Sequence, residues 1–158
     1  MKLFKQQTEY KIVIMGRKTF DSLPKMLSNR VHIVISSETD VNKILGDKEK
    51  TEPLILVHSY DELFKKITDM QLEVGIPDDD FWLIGGETLY NDLLQYCRSI
   101  VLTKVRKQPI KEADKFFPNI DELDNWRCTV TQVDEKEPLT YYRYINTDVK
   151  LWNENKGE

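Results

Sequence analysis

An α/β fold with a mostly parallel central sheet and a C-terminal antiparallel hairpin is what this sequence predicts, on three observations. Short apolar, β-branched runs alternate with short helical patterns from Lys11 to Val105, the order that builds parallel sheets from strand–helix–strand units. Those runs are apolar throughout rather than alternating, as expected of strands covered on both faces. After Pro118 the pattern changes to two longer runs with a turn-forming zone between them.

Met1 to Gln7 reads as the end of a helix, with Leu3 and Phe4 apolar. Lys11 to Met15 is a short strand that stops at Gly16, and Lys18 to Leu23 is a short helix closed before Pro24, since the residue before a proline is steered away from helix. Val31 to Ile35 is a second strand, ending at Ser36-Ser37, and Leu54 to Val57 is a third. Ser59 to Thr68 is helical, with Ser59 as N-cap and Glu62 three residues on, the spacing of a capping box. Asp78-Asp79-Asp80 reads as a solvated loop. Phe81 to Ile84 is a fourth strand, broken by Gly85-Gly86, and Thr88 to Tyr96 is helical. Ser99 to Val105 is a strand, and Trp126 to Val133 with Leu139 to Asn146 form a hairpin around Asp134-Glu135-Lys136, on one edge of the sheet. About Lys150 to Glu158 reads as a frayed tail.

Length and charge bound the function. The 158 residues fit a single domain over the whole chain, and 40% hydrophobic residues suffice for a core. A net charge of −4 argues against a global basic field for nucleic acid. No apolar stretch approaches the roughly 18 residues that span a bilayer, and no signal peptide opens the chain. Cys97 and Cys128 fit neither a metal spacing nor a disulfide framework and read as buried free thiols, suited to a reducing cytoplasm. No His/Asp/Glu cluster has metal-ligand spacing. His32 and His58 have no Cys or Ser partner for a nucleophilic triad, and His32 reads as a satisfied structural histidine.

Chemistry in such sheets gathers beyond the carboxyl ends of the strands, and two of those ends are unusual. Gly16-Arg17-Lys18-Thr19 comes directly after the first strand. Glycine admits a phosphate close to the backbone, a helix start offers free N–H groups, and the two cations and the hydroxyl add partners. A turn with two surface cations is the plainer reading of the same residues, and the spacing is not that of a Walker loop. Ile84-Gly85-Gly86-Glu87-Thr88 presses backbone close to something, a ligand or another strand.

Taken in order, these segments resemble dihydrofolate reductase. Val13-Ile14-Met15-Gly16-Arg17-Lys18-Thr19-Phe20-Asp21-Ser22-Leu23 resembles the family's first signature, and Leu27-Ser28-Asn29-Arg30 and Val34-Ile35-Ser36-Ser37 resemble the segments next to it in family order. Phe81-Trp82-Leu83-Ile84-Gly85-Gly86-Glu87-Thr88-Leu89-Tyr90 resembles the second signature, with Val101-Leu102-Thr103 and Ala113-Asp114-Lys115-Phe116-Phe117-Pro118 beyond it. The likeness runs from about Met1 to Asn146, the rest being tail.

The resemblance implies a three-layer fold, NADPH as cofactor, and reduction of 7,8-dihydrofolate to 5,6,7,8-tetrahydrofolate in one-carbon and thymidylate metabolism, in the cytoplasm. Gly16, Arg17, Lys18 and Thr19 would hold the NADPH phosphates, with Arg17 also near the 2′-phosphate; Ser36, Ser37 and His58 would flank the adenosine end. Ile84, Gly85, Gly86, Glu87, Thr88, Leu89 and Tyr90 would line the pyrophosphate and nicotinamide, with the family's Gly–Gly bond cis. On the substrate side, Arg30 would pair with the folate α-carboxylate, Phe4 and Leu27 would face the pteridine and benzoyl rings, Ile84 and Tyr90 would border the same pocket, and Thr103 would be the partner of the catalytic carboxylate. Counting back from Gly16 and Phe4 places that carboxylate one residue before Met1. The likeness is therefore to a member shortened at its start, with no catalytic acid, first strand or mobile loop, and with activity in question. The family's first strand would lie between Phe81–Ile84 and Ser99–Val105; the family is monomeric, and its loss would open a gap through which this chain could self-associate. Two other readings share the fold: a non-catalytic NADPH- or folate-binding module, and a pyrimidine reductase of riboflavin synthesis. Arg30 favours folate over the latter, whose substrate has no glutamate tail.

Overall fold

The computed structural model describes residues 2–105, 120, 123–134, 136 and 138–152. The Ala113 to Pro118 segment, and the tail beyond residue 152, lie outside the described residues. Contacts divide the chain into two units, Met1–Leu89 and Tyr90–Glu158.

In the first unit α1 (Lys2–Thr8) leads into β1 (Ile12–Gly16), α2 (Arg17–Ser22), β2 (Val31–Ile35), α3 (Val41–Leu45), β3 (Leu54–Val57), α4 (Tyr60–Val74), β4 (Phe81–Gly85) and the start of α5 (Glu87–Leu93). The four strands form one sheet in the order β3-β2-β1-β4. Every pairing in it is parallel: Ile14 lies opposite Ile33 and Leu83, and Ile33 opposite Ile55. The register slips once, between Ile14 and Met15 against β4, so that Met15 faces Gly85. Val13, Met15, Phe20, Met26, Val34 and Ile44 are buried together, with Leu54, Leu56, Trp82 and Ile84 packed against them. This two-sided burial explains why these strands read as unbroken apolar runs.

The helices obey their caps. Ser59 Oγ accepts the Glu62 N–H at 3.1 Å. The Glu62 carboxylate accepts from the His58 N–H at 2.8 Å, one residue before the place a capping box would put it. Helix α4 runs to Val74, six residues past the expected Thr68, and ends on Gly75 at φ +79°, a left-handed cap that favours glycine. Helix α3, five residues capped by Asp40 and closed by Gly46, has no counterpart in the sequence reading; it is too short to show a helical period. Asp78–Asp80 forms one 3₁₀ turn. It is anchored rather than purely solvated, because Lys11 Nζ meets Asp80 Oδ1 at 2.6 Å.

In the second unit α5 passes into a 3₁₀ turn at Leu94–Tyr96, then β5 (Ser99–Val105), β6 (Trp126–Val133) and β7 (Leu139–Asn146). These form an antiparallel sheet in the order β5-β7-β6. The hairpin is as expected, but β5 belongs with it: Ile100 faces Tyr144 and Thr103 faces Tyr141. Among the described residues β4 pairs only with β1, and β5 only with β7. The hairpin therefore does not edge the parallel sheet, as the sequence suggested, but forms a second sheet with β5. Leu94, Ile100, Ile120, Trp126 and Tyr144 make the unit's own core. Asn146 secures the turn before β5, its side-chain N–H₂ donating to the Cys97 carbonyl at 2.9 Å.

Neither cysteine is in a disulfide. Cys97 is partly covered, and burial pushes its thiol up to about 11. Cys128 is exposed, which corrects the reading of two buried thiols. Among the described residues strand β6 has a neighbour on one side only, and its pairing slips between Cys128 and Val130.

The cap of α4 gives a direct test. Ser59→Ala removes the acceptor for the Glu62 N–H and should destabilise the protein by about 1 kcal/mol, read as a thermal midpoint lowered by roughly 2–4 °C. An unchanged midpoint would show that α4 is held by its packing alone.

Candidate functional site

Because β3, β2, β1 and β4 are all parallel, their carboxyl ends lie in one row along a single sheet edge. At a strand spacing of about 4.8 Å, the row is roughly 14 Å long. It carries His58 after β3, Ser36 and Ser37 after β2, Gly16 at the end of β1 with Arg17 after it, and Gly85 and Gly86 at the end of β4. Two motifs far apart in the sequence are thereby made neighbours.

Their contact is close. The Gly85–Gly86 peptide bond is cis. A side chain at Gly85 would put its Cβ 3.0 Å from the Thr19 hydroxyl, and one at Gly86 would put it 3.4 Å away. Gly85 also has φ +146°, a region that side chains rarely enter. Residue 85 is therefore held to glycine on two counts, backbone angle and space. At Gly16 an added Cβ would meet only Leu89 Cδ1, at 3.5 Å. Helix α2, which starts there, has six residues and no side-chain N-cap. The cradle is made of bare backbone and the Thr19 hydroxyl.

The charged groups of the row are held by their neighbours. Arg17 donates to the Lys43 carbonyl at 3.2 Å and lies 3.7 Å from the Asp21 carboxylate, so α3 orients this guanidinium. Lys18 is exposed. The His58 Nδ1 is 2.7 Å from the Ser36 carbonyl, which ties the ends of β2 and β3 together. Ser36 Oγ accepts the Glu38 N–H at 3.1 Å, and Ser37 is exposed.

The other predicted residues are divided between the two units. Ile84 is half-buried against the main core, Glu87 is half-buried, Thr88 is exposed and Leu89 is buried. In the second unit Tyr90 is half-buried, its phenol pushed up to about 12 by burial, and Thr103 lies on β5 opposite Tyr141.

A second cluster sits at the opposite end of β2. Arg30 immediately precedes that strand and is 6% exposed. Its guanidinium lies 5.7 Å from the centre of the Phe4 ring, a distance at which a cation is attracted to the ring face. Its Nε has no hydrogen-bond partner, and among the described residues it forms no ion pair. A buried guanidinium with an unpaired donor is costly unless something anionic completes it. Leu27, half-buried, starts the turn that leads to Arg30. Its N–H is accepted by His32 Nε2 at 3.0 Å, while His32 Nδ1 is buried without a partner. The expectation of a satisfied histidine thus holds for one ring nitrogen of two. Sequence reasoning did not single out this contact, because a lone histidine in a strand gives no sign of what its ring reaches.

Among the described residues no group of His, Cys, Asp and Glu could hold a metal ion, and no helix is long and apolar enough to cross a membrane. A family model for dihydrofolate reductase matches residues 1–149. The chain is 31% identical to the dihydrofolate reductase of Bacillus subtilis (strain 168) over 141 residues, covering 87% of this chain and 73% of that protein. It is 34% identical to dihydrofolate reductase type 9 of Escherichia coli over 150 residues, covering 92% and 78%. The solved structure of dihydrofolate reductase from Enterococcus faecalis complexed with NADP(H) and RAB-propyl superposes with a TM-score of 0.68 at 26% identity, covering 93% of this chain and 80% of that one.

The two glycines at strand ends should respond differently to an added methyl group. Gly85→Ala should destabilise the protein by about 1–3 kcal/mol, since it combines a rare φ with a clash. Gly16→Ala should stay within about 0.5 kcal/mol. Urea unfolding of both variants decides; equal losses would mean that Thr19 does not close over Gly85.

Proposed function

This chain belongs to the dihydrofolate reductase family, and on that premise we propose how its residues serve the family's reaction, NADPH-dependent reduction of dihydrofolate to tetrahydrofolate. The observation that carries the reading is the buried Arg30 with its unpartnered Nε beside the Phe4 ring. Together they suit a ligand that joins an aromatic ring to a carboxylate, and a planar guanidinium binds carboxylate in bidentate fashion. A pyrimidine without a glutamate tail would leave that guanidinium unsatisfied, which favours folate over the riboflavin-pathway substrate.

The row of strand ends fits the dinucleotide. The bare backbone at Gly85 and Gly86, with the Thr19 hydroxyl against it, is a cradle that any side chain would fill, and it would admit the pyrophosphate with Gly16. Arg17 and Lys18 would meet phosphate charge, Arg17 being turned toward α3 by Lys43 and Asp21. Ser36, Ser37 and His58 would line the adenosine end. Ile84, Glu87, Thr88, Leu89 and Tyr90 would border the nicotinamide end. NADPH, when bound, supplies the hydride. The protein's part is to place the two ligands ring to ring and keep water out. Leu27 and Phe4 would position the pteridine and benzoyl groups, and Arg30 the tail. Thr103 would serve as a hydrogen-bond partner near the proton-transfer step, and no residue of this sequence is assigned the proton donor's role. A monomer is the assembly carried over from the family, and pairing of copies through the edges of β4 and β5 is the alternative.

The reading is tested by titrating the protein with NADPH, dihydrofolate and the riboflavin-pathway pyrimidine, and by following NADPH oxidation with each substrate. Binding of NADPH and dihydrofolate, with oxidation supported by dihydrofolate and not by the pyrimidine, is the expected result. Preference for the pyrimidine would replace the reading. Binding of both folate and cofactor with no turnover would favour a non-catalytic module.

Arg17 should set the choice of cofactor. Charge-assisted hydrogen bonds contribute roughly 1.5–3 kcal/mol, so Arg17→Leu should weaken NADPH about tenfold or more and NADH much less. Equal losses for the two cofactors would remove Arg17 from the 2′-phosphate site.

A further inference from the structure

Residues 27 to 30 form a tight turn whose shape is fixed from several sides. Asn29 has φ +61°. Its carbonyl accepts the Tyr10 N–H at 2.7 Å, and its own N–H is accepted by the Glu52 carboxylate. A further anchor is the imidazole of His32, whose Nε2 accepts the Leu27 N–H at 3.0 Å. An acceptor nitrogen carries no proton, so the ring is neutral with its hydrogen on Nδ1. His32 is fully buried. In register it lies between Val13 of β1 and Leu54 of β3, and the Phe20 ring from α2 meets it edge-on at 6.2 Å.

We propose that His32 is a positioning residue for the carboxylate tail of the substrate: its neutral imidazole holds the Leu27 amide and so fixes the turn that presents Arg30. The inference rests on the assignment of Arg30 to that carboxylate. His32 touches no ligand; it acts through Leu27 and the turn that Leu27 begins.

The same geometry makes the grip sensitive to pH. Protonation turns Nε2 into a donor that faces another donor, and the bond to Leu27 is lost. Burial is the largest influence on the ring and holds its protonation below the ordinary histidine range. Against burial, the backbone carbonyls of Arg30 and Pro53 favour the proton, as does the Glu52 carboxylate before β3, while the Arg30 charge before β2 opposes it. Lys48 lies farther off, over the Phe20 ring at 5.1 Å, and the flanking positions on β1 and β3 are apolar. A depressed value means that the neutral form is favoured by the fold. The turn is therefore fully held above the ordinary value of about 6.5, and the hold weakens as pH falls through the lowered one.

The experiment compares two ligands with the same 2,4-diaminopteridine ring, methotrexate with its glutamate and the bare diaminopteridine without it. The ratio of their affinities cancels protonation of the shared ring and reports the tail alone. It is measured by fluorescence titration at about pH 7.5 and 5.5, a window in which histidine is the side chain that ordinarily titrates. In the unaltered protein the advantage of methotrexate should be smaller at the lower pH, as loss of the neutral imidazole requires. His32→Leu leaves the Leu27 N–H unsatisfied and should cut that advantage about tenfold at neutral pH. His32→Gln, whose amide oxygen can reach as far as Nε2, should restore it and make it independent of pH. Arg30→Leu is the control for the underlying reading. If it leaves the ratio unchanged, the assignment of Arg30 fails. If it collapses the ratio while both His32 variants and the pH change leave it alone, only the role of His32 is overturned. Should His32→Leu not fold, the pH dependence of the unaltered protein and its loss in His32→Gln still decide; a pH dependence that persists in His32→Gln overturns the proposal.

Discussion

Parallel pairing of β1 with a neighbour on each side is the constraint on which the site depends. Val13 and Met15 are buried completely at the centre of the sheet. β2 on one flank and β4 on the other run in the same direction as β1. Once direction is shared, every strand must end at the same edge, and the residues after each strand are delivered there. The single slip in register, between Ile14 and Met15, sets Gly85 opposite Met15 and brings the glycine pair down onto Thr19. A strand running the other way would have sent Gly85 and Gly86 to the far end of the sheet. The cradle is thus a consequence of chain direction before it is a matter of side chains.

Charge is handled differently at the two ends of that sheet. Along the row of strand ends Arg17 and Lys18 remain partly or wholly in water, where ion pairs such as Arg17 with Asp21 are weak and easily exchanged for a ligand. At the other end Arg30 is buried against Phe4 with a donor unsatisfied. The first arrangement suits a ligand with many phosphate oxygens held by several modest contacts. The second suits one carboxylate held at one well-defined point, because an unpaired buried cation gains most from the group that completes it. The histidine beneath the turn belongs to this second end, where its ring accepts the Leu27 N–H.

Much of the fold and most of the candidate site were legible in the sequence. The strands Val31–Ile35, Leu54–Val57 and Ser99–Val105 and both arms of the hairpin stand where the apolar runs placed them. Ser59 caps its helix as the spacing with Glu62 required. The glycines that end β1 and β4 were recognisable because a buried strand closing on glycine is a local signal. These features depend on periodicity, caps and backbone freedom, which are properties of a few adjacent residues.

What tertiary structure decided depends on residues far apart in the chain. No local pattern says that β5 takes β7 as its partner among the described residues and leaves the parallel sheet, since pairing is settled by which surfaces meet. Cys128 alternates with the polar Arg127 and Thr129 as an inward position would, yet it is exposed on a strand that ends its sheet among the described residues. Helix α3 is capped by Asp40 and Gly46 and packs Ile44 and Leu45 into the core, and its backbone then holds Arg17. The contact of Thr19 with Gly85, the approach of Phe4 to Arg30 and the reach of His32 to Leu27 are through-space facts. The sequence by itself determined which strands close on glycine and where its cations and hydroxyls fall along the chain; folding alone decided which of them meet, because distance across a sheet is set by strand order and not by position along the chain.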